Sequence, residues 1–176
     1  GGSIVQLTWH DANDYPDGWS WDSKTVYFTS DRYNTFGAYA VAATGGTPVR
    51  LFSDNFFDQA HNIVEIPGSN GQSFYFTSSW ESYMFPQRKR YRGENDPDIE
   101  FYNKSTGDYK RLTEWEGKDL WPSVDRNGKL WFASDEANNE YNLYTIENGV
   151  KKKVTSFLTS IRRPQVSADG RFVVFA

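Results

Sequence analysis

A polar turn leads directly into an aromatic strand in the sequence Asp125-Arg126-Asn127-Gly128-Lys129-Leu130-Trp131-Phe132-Ala133-Ser134. Asn and Gly tolerate the left-handed backbone conformation that tight hairpins require. The turn is followed by a short run of five mostly aromatic or apolar residues, as in a buried or half-buried strand. This segment therefore predicts two antiparallel strands that are joined by a tight turn.

The same unit occurs four times along the chain. Its turns lie at residues 20–24, 69–72, 125–129 and 167–171, and its aromatic strands at residues 26–30, 74–78, 130–134 and 172–176. A third, alternating strand is predicted at residues 38–41, 99–102 and 143–146. A second turn and a closing apolar residue complete the unit. A repeat of this kind is stronger evidence for the fold than local propensity is.

The closing residues Leu7, Leu51, Leu112 and Val154 give spacings of 44, 61 and 42 residues. Four short strands in roughly 40–45 residues is the size of a propeller blade. The longer middle unit predicts an insertion at about residues 80–97. The sequence thus predicts an all-β chain, a β-propeller of four-stranded antiparallel blades, with a solenoid of stacked hairpins as the competing architecture.

The boundaries of the repeat divide the chain into a single propeller segment, residues 1–176. Residues 1–8 match the last strand of a preceding blade, although Gly1-Gly2 is also explained by a tag remnant. Residues 9–52, 53–113 and 114–155 form three blades, and residues 156–176 form the first half of the next. We therefore expect a partial ring of about three and a half blades, to which other blades are added in a longer protein.

Composition excludes several classes of function. A formal charge of −4 argues against nucleic-acid binding, which needs a basic surface. The chain has no cysteine, so disulfides and thiolate metal sites are excluded. No apolar run approaches the ~20 residues of a membrane span. No cofactor is predicted, and the composition does not separate a cytoplasmic from a periplasmic location.

The repeat resembles the β-propeller repeat that TolB-type proteins share with tricorn-type serine peptidases. The segment from Pro86 to Gly93, Pro-Gln-Arg-Lys-Arg-Tyr-Arg-Gly, followed by Ile99-Glu100-Phe101, is similar to a part of the amino-terminal, six-bladed tricorn propeller. The resemblance implies a bacterial parent protein and a place at about blades two to five. It also implies a non-catalytic segment of a peptide-degrading enzyme, because the family's catalytic residues lie in a carboxy-terminal part.

Under this resemblance the segment has no catalytic residues of its own and acts in substrate access or domain docking. Its expected partners are peptides or unfolded polypeptide, other domains of the same chain and, in a homo-oligomer, further copies. Two alternatives stay open: a TolB-type protein-binding module without peptidase activity, and a propeller lid on a prolyl-oligopeptidase-like enzyme.

Two basic clusters are the candidate peptide-binding or docking residues. They are Arg88, Arg90, Tyr91 and Arg92 in the insertion, and Arg162 and Arg163 before the last inner strand. Guanidinium groups beside aromatic rings suit a peptide carboxylate or a neighbouring domain. Internal ion pairs with nearby acids such as Glu94 are the structural alternative.

Three further groups have a functional and a structural interpretation. His10 and His61 are ligands or bases, or they form hydrogen bonds between blades. The acidic loop 135–140 binds Ca²⁺, or it is a solvated turn. Four tryptophans stack on carbohydrate, or they fill gaps between blades. These are Trp9, Trp19, Trp80 and Trp115.

Overall fold

Three four-stranded antiparallel sheets and a two-stranded hairpin follow one another in the computed structural model. The structure describes residues 2–34, 36–52, 59–89 and 91–176, with the side chains of all of these except Asn34, Trp80 and Ser82. In each sheet the strands are ordered as they occur in the chain, so every neighbouring pair is a hairpin. This meander is the predicted propeller blade, and the predicted fold class is confirmed.

The first blade contains β1 (Asp14–Trp19), β2 (Thr25–Ser30), β3 (Gly37–Ala42) and β4 (Val49–Arg50). The second contains β5 (His61–Glu65), β6 (Ser73–Thr77), β7 (Ile99–Asn103) and β8 (Tyr109–Arg111). The third contains β9 (Asp119–Val124), β10 (Leu130–Ser134), β11 (Asn142–Glu147) and β12 (Val150–Lys153). The final hairpin consists of β13 (Gln165–Val166) and β14 (Val173–Val174).

The predicted turns adopt the left-handed backbone for which their residues were singled out. Asn70 and Gly71 have φ values of 52° and 72°, and Asn148 and Gly149 have 53° and 75°. Two consecutive residues with positive φ form the turn type whose twist matches that of the flanking strands. These Asn-Gly pairs therefore set the register of the hairpins on either side.

The core lies between the blades and not inside any one of them. Tyr27 and Ala40 of the first blade pack against Phe74 and Phe76 of the second, and Phe52 completes this cluster. Equivalent clusters join the second blade to the third and the third to the final hairpin. The second and third sheets thus bury both of their faces against neighbours, which explains why their strands are rich in aromatic residues.

Residues 2–13 lie outside the strands, and Leu7 packs against Phe28, Tyr39 and Val41 on the open side of the first blade. The predicted blade boundaries 9–52, 53–113 and 114–155 stay a prediction. The assignment of residues 1–8 to a preceding blade stays a prediction.

The innermost strands β1, β5, β9 and β13 contact one another in that order. Each of β1, β5 and β9 is interrupted by an irregularity in its pairing with the next strand. Non-glycine residues with positive φ occur at this level in the second blade, the third blade and the segment before the final hairpin, namely Asn62, Trp121 and Arg163. Such a conformation is costly for a bulky residue such as tryptophan. The irregularities turn side chains of the innermost strands toward the common axis.

Antiparallel order places the starts of β1, β5 and β9 on the same face of the propeller as the ends of β2, β6 and β10. Residues 78–98, between β6 and β7, include the segment of about residues 80–97 that was predicted as an insertion, and we name this face the insertion face. The insertion contains the helix α1 (Trp80–Met84). Ser79 caps the helix by accepting a hydrogen bond from the Glu81 amide. The sequence did not predict this helix, because five residues are too few to show helical periodicity.

Candidate functional site

The insertion is anchored by a buried acid, Glu81 of α1. Its side chain is 0% exposed and accepts two hydrogen bonds from Arg88, at 2.9 and 2.8 Å. Lys118, also 0% exposed, places its Nζ 2.8 Å from Glu81 Oε1. Burial lowers the pKa of Lys118, whereas the charge of Glu81 raises it. Because Lys118 immediately precedes β9, these ion pairs connect the insertion to the third blade.

Further contacts hold the insertion against the same blade. Within the insertion, the Arg88 guanidinium lies 4.5 Å from the centre of the Tyr91 ring. Lys89 forms an ion pair with Glu140 at 2.7 Å. The Tyr141 hydroxyl donates a hydrogen bond to the Pro86 carbonyl at 2.9 Å. The two basic residues therefore have acidic partners inside the protein.

The residues of the first predicted basic cluster have different environments. The structure brings Arg88 and Tyr91 together, as described above. Arg92 is exposed and lies 3.6 Å from Glu116. Arg90 lies outside the described residues. A role of this cluster in peptide binding stays a prediction, and the sequence-based interpretation missed Glu81, the acid that organises it.

An axial cavity of about 290 Å³ lies where the innermost strands meet. It is lined by residues of β1, β5 and β9, by Arg163 and Gln165 beside the final hairpin, and by one residue of α1. Its main side chains are Tyr15, Asp17, Asn62, Ile63, Tyr83, Trp121, Arg163 and Gln165. The second predicted pair is thereby divided: Arg163 lines the cavity, whereas the Arg162 backbone exchanges two hydrogen bonds with Ala176.

Asp17, which lines this cavity, has a carboxyl group with a strongly raised pKa. Burial raises its pKa to about 7, although hydrogen bonds to the carboxylate oppose the shift. Thr29 Oγ1 donates to it at 2.7 Å and the Asn62 amide at 3.1 Å. The positive charge of Arg163 also favours the ionised form. Asp17 was not predicted, because only the bulge in β1 brings its side chain to this place.

A second and larger cavity of about 750 Å³, which we name the lateral pocket, opens on the insertion face beside the first blade. Its walls are aromatic and acidic. They comprise His10, Asp11, Asn13, Tyr15, Asp31, Arg32, Tyr33, Phe36, Tyr83 and Met84. Tyr15 and Tyr83 line both cavities, with ring centres 4.9 Å apart. The lateral pocket therefore adjoins the axial cavity.

The two histidines lie on the insertion face but in different surroundings. His61 is buried, and its Nε2 donates to the Ser79 carbonyl at 2.9 Å. Burial lowers its pKa, so the ring is neutral near pH 7. His10 is exposed and lies edge-on to Tyr33, with ring centres 6.1 Å apart. The described His61 contact joins two parts of the second blade, so hydrogen bonding of this residue between blades stays a prediction, and His10 belongs to the lateral pocket.

The carboxylates of the acidic loop have protein partners. Asp135 accepts hydrogen bonds from the Trp115 indole and the Lys118 amide, each at 2.9 Å. Glu136 pairs with Lys151. Within the described part of the chain, no three acidic or histidine side chains are grouped to hold a metal ion.

The tryptophans also differ among themselves. Trp115 is partly buried against its neighbours, whereas Trp9 and Trp19 are 70% and 59% exposed. The side chain of Trp80 lies outside the described part. Carbohydrate stacking at these residues stays a prediction.

The model of the tricorn protease N-terminal β-propeller domain matches residues 1–176. The chain belongs to this family. Membership of the tricorn N-terminal propeller family agrees with the resemblance that the repeat and the insertion indicate. The comparison with curated proteins gives no match. Among the described residues, no helix of this tricorn-type propeller is long and apolar enough to cross a membrane.

Solved structures with a similar fold include both relatives that the repeat indicates. An Agrobacterium tumefaciens protein assigned to TolB is 20% identical, with a TM-score of 0.70 over 93% of this chain and 53% of its own. The tricorn protease is 18% identical, with a TM-score of 0.71 over 93% of this chain and 15% of its own. TolB from Acinetobacter baumannii is 22% identical, with a TM-score of 0.67 over 92% and 36%. This chain thus spans about half, or less, of each of these proteins, and the likeness establishes the fold.

Proposed function

We propose that this propeller segment admits extended peptides to a tricorn-like serine peptidase and contributes no catalytic group itself. The observation that carries the proposal is the axial cavity, to which all three blades and the final hairpin contribute residues. Bulges in the innermost strands turn side chains toward this space.

The chemistry of the cavity suits a polypeptide without strong sequence preference. Tyr15, Tyr83 and Trp121 offer large apolar surfaces with polar ends, which are well suited to varied side chains. Asn62 offers hydrogen-bonding groups to a peptide backbone, and Arg163 offers a cation. The insertion forms part of the entrance through Tyr83, and its ion pairs with the third blade hold that entrance in place.

The same ion pairs indicate that residues of the basic segment have two different roles, one inside this propeller and one at its surface. Arg88 and Lys89 dock the insertion on a blade of the same propeller. Arg92, which is exposed, is the described residue of the cluster that is best placed to contact another domain or another copy in an assembly.

The test is to narrow the cavity in the full-length protein. Gln165→Trp places an indole at the axis, and Lys110→Trp, on the exposed outer strand β8, is the matched control. We expect Gln165→Trp to lower kcat/KM for peptides of ten or more residues about tenfold relative to a tripeptide reporter, because ~1.4 kcal/mol of added barrier corresponds to that factor. The control should leave the ratio unchanged.

Two outcomes contradict the proposal. If Gln165→Trp lowers activity on long and short substrates equally, the cavity does not control access. If the full-length protein hydrolyses no peptide but retains protein partners, the segment is a binding module of the TolB kind.

A further inference from the structure

The lateral pocket has the size and composition of a specific binding site. Its volume, about 750 Å³, lies within the ~300–1,000 Å³ that is usual for small-ligand sites. Phe36 and Tyr83 have ring centres 4.7 Å apart, and Tyr15 lies 4.9 Å from Tyr83. On the other side, Tyr33 is 75% exposed and stands beside His10. Four aromatic rings and one imidazole of the described residues thus line the pocket.

The charge of the pocket is negative and is not balanced from within. Both oxygens of Asp31 accept hydrogen bonds from neutral donors, the backbone and side-chain nitrogens of Asn13, each at 2.8 Å. Asp11 is exposed at the rim. Among the described residues neither acid forms an ion pair with a lysine or arginine. Two carboxylates therefore face the pocket without a counter-ion among the residues that the structure describes.

The arginine among the described lining residues, Arg32, does not change this balance. Arg32 is 6% exposed and its Nη2 donates to both oxygens of Asp14, at 2.8 and 2.9 Å. Its guanidinium also stacks 4.8 Å from the centre of the Tyr39 ring. Its charge is thus neutralised inside the blade.

We propose that the lateral pocket binds the side chain of a lysine or arginine in a peptide that occupies the adjoining axial cavity. This inference rests on the proposed function and adds the class of substrate to it. Aromatic faces attract a cation, and unpaired carboxylates complete its neutralisation. An apolar side chain would desolvate Asp31 and Asp11 without replacing their water, and an acidic one would be repelled.

The wall that the two cavities share indicates that the basic side chain belongs to a peptide. Tyr15 and Tyr83 line both the lateral pocket and the axial cavity, so the two spaces adjoin at these rings. A chain that lies along the axis therefore has a side pocket beside it that accepts a long side chain. The pocket selects for peptides with a basic residue at one position.

Equilibrium binding to the full-length protein tests this inference. The protein is first treated with a serine-directed inhibitor, so that the probes are not hydrolysed. The probes are N-acetylated pentapeptides, Ala-Ala-Xaa-Ala-Ala with a fluorophore at the C-terminus, in which Xaa is lysine, norleucine or glutamate. Fluorescence anisotropy at low salt gives each Kd. We expect the lysine peptide to bind about tenfold more tightly than the norleucine peptide, a factor that a charge-assisted contact supplies.

Variants of the pocket then locate the preference. Asp11→Asn combined with Asp31→Asn should abolish it while the norleucine Kd stays unchanged, and Tyr33→Ala should weaken lysine binding several-fold. Asp108→Asn, an exposed acid in the β7–β8 turn on the opposite face, is the matched control and should keep the preference. Circular dichroism confirms that each variant is folded.

Three results overturn the inference. The lysine and norleucine peptides bind alike, the preference survives in the double variant, or a norleucine peptide with a free amino terminus binds as tightly as the acetylated lysine peptide. The last result would make the α-amine the ligand. None of these depends on hydrolysis, so failure of the lateral pocket is distinguishable from failure of the axial path that Gln165→Trp tests.

Discussion

Glu81 of the short helix and Lys118 at the edge of the third blade are both completely buried, and their Oε1 and Nζ atoms lie 2.8 Å apart. Removing one partner of a buried ion pair leaves an uncompensated charge, which typically costs about 3–5 kcal/mol. We therefore expect Glu81→Gln to lower the melting temperature by roughly 10 °C, as thermal unfolding would measure.

The double variant Glu81→Leu with Lys118→Leu is the informative companion. It removes both charges, so it should be less destabilising than the single change. If Glu81→Gln melts within a degree of the wild type, the ion pair does not hold the insertion in place.

Alanine substitutions at Arg88 and Arg92 test whether these two members of the basic cluster contribute differently to stability. Arg88 has a buried acidic partner, and we expect Arg88→Ala to cost about 1.5–3 kcal/mol, the range for hydrogen bonds to charged groups. Arg92→Ala removes only an exposed pair at 3.6 Å and should cost less than about 0.5 kcal/mol. Hydrogen exchange should show the loss of protection in residues 80–97 for Arg88→Ala alone. Equal effects of the two changes would contradict the division.

Stability should fall between mildly acidic and neutral pH because of Asp17. Its pKa of about 7 in the folded protein lies above its ordinary 3.8, so the folded state binds more protons in that interval. The free energy of unfolding therefore declines as the pH rises from about 4 to about 7, and it levels off above that.

Asp17→Asn should reduce this decline, as melting curves between pH 4 and 8 would show. Part of it should remain, because burial also raises the pKa of Asp98 to about 7. Asp169→Asn is the control, since hydrogen bonds lower the pKa of that exposed acid and affect stability only below about pH 4. An unchanged slope in Asp17→Asn would mean that this carboxyl stays ionised throughout.

Alanine substitutions at two glycines with the same backbone conformation distinguish the cost of backbone strain from the cost of a steric contact between blades. Gly149 and Gly170 have φ values of 75° and 71°, so alanine at either costs about 1–2 kcal/mol. A Cβ at Gly149 meets nothing within 4 Å, whereas at Gly170 it would lie 2.8 Å from Asp125 Oδ2. We expect Gly170→Ala to cost a further ~1–3 kcal/mol in denaturant unfolding. Equal losses would show that Asp125 moves aside freely.

Local residue chemistry determined much of the fold. The Asn-Gly and Asp-containing turns specify hairpins through backbone conformation alone, and the aromatic strands between them specify sheets that pack face to face. A period close to that of one blade then allowed the blade, the insertion and the family to be identified before any contact was known.

Only the tertiary structure decided where the chemistry lies. Asp17, Glu81 and Lys118 have nothing unusual in their local sequence, because burial and partners that are distant in the chain determine their properties. The predicted pair Arg162 and Arg163 shows the same limit, since of these two adjacent residues in the irregular segment before β13 only Arg163 lines the axial cavity. The sequence by itself determined a propeller of four-stranded blades, since turns and strands depend on neighbouring residues. The cavities depend on how the blades pack, which neighbouring residues do not encode.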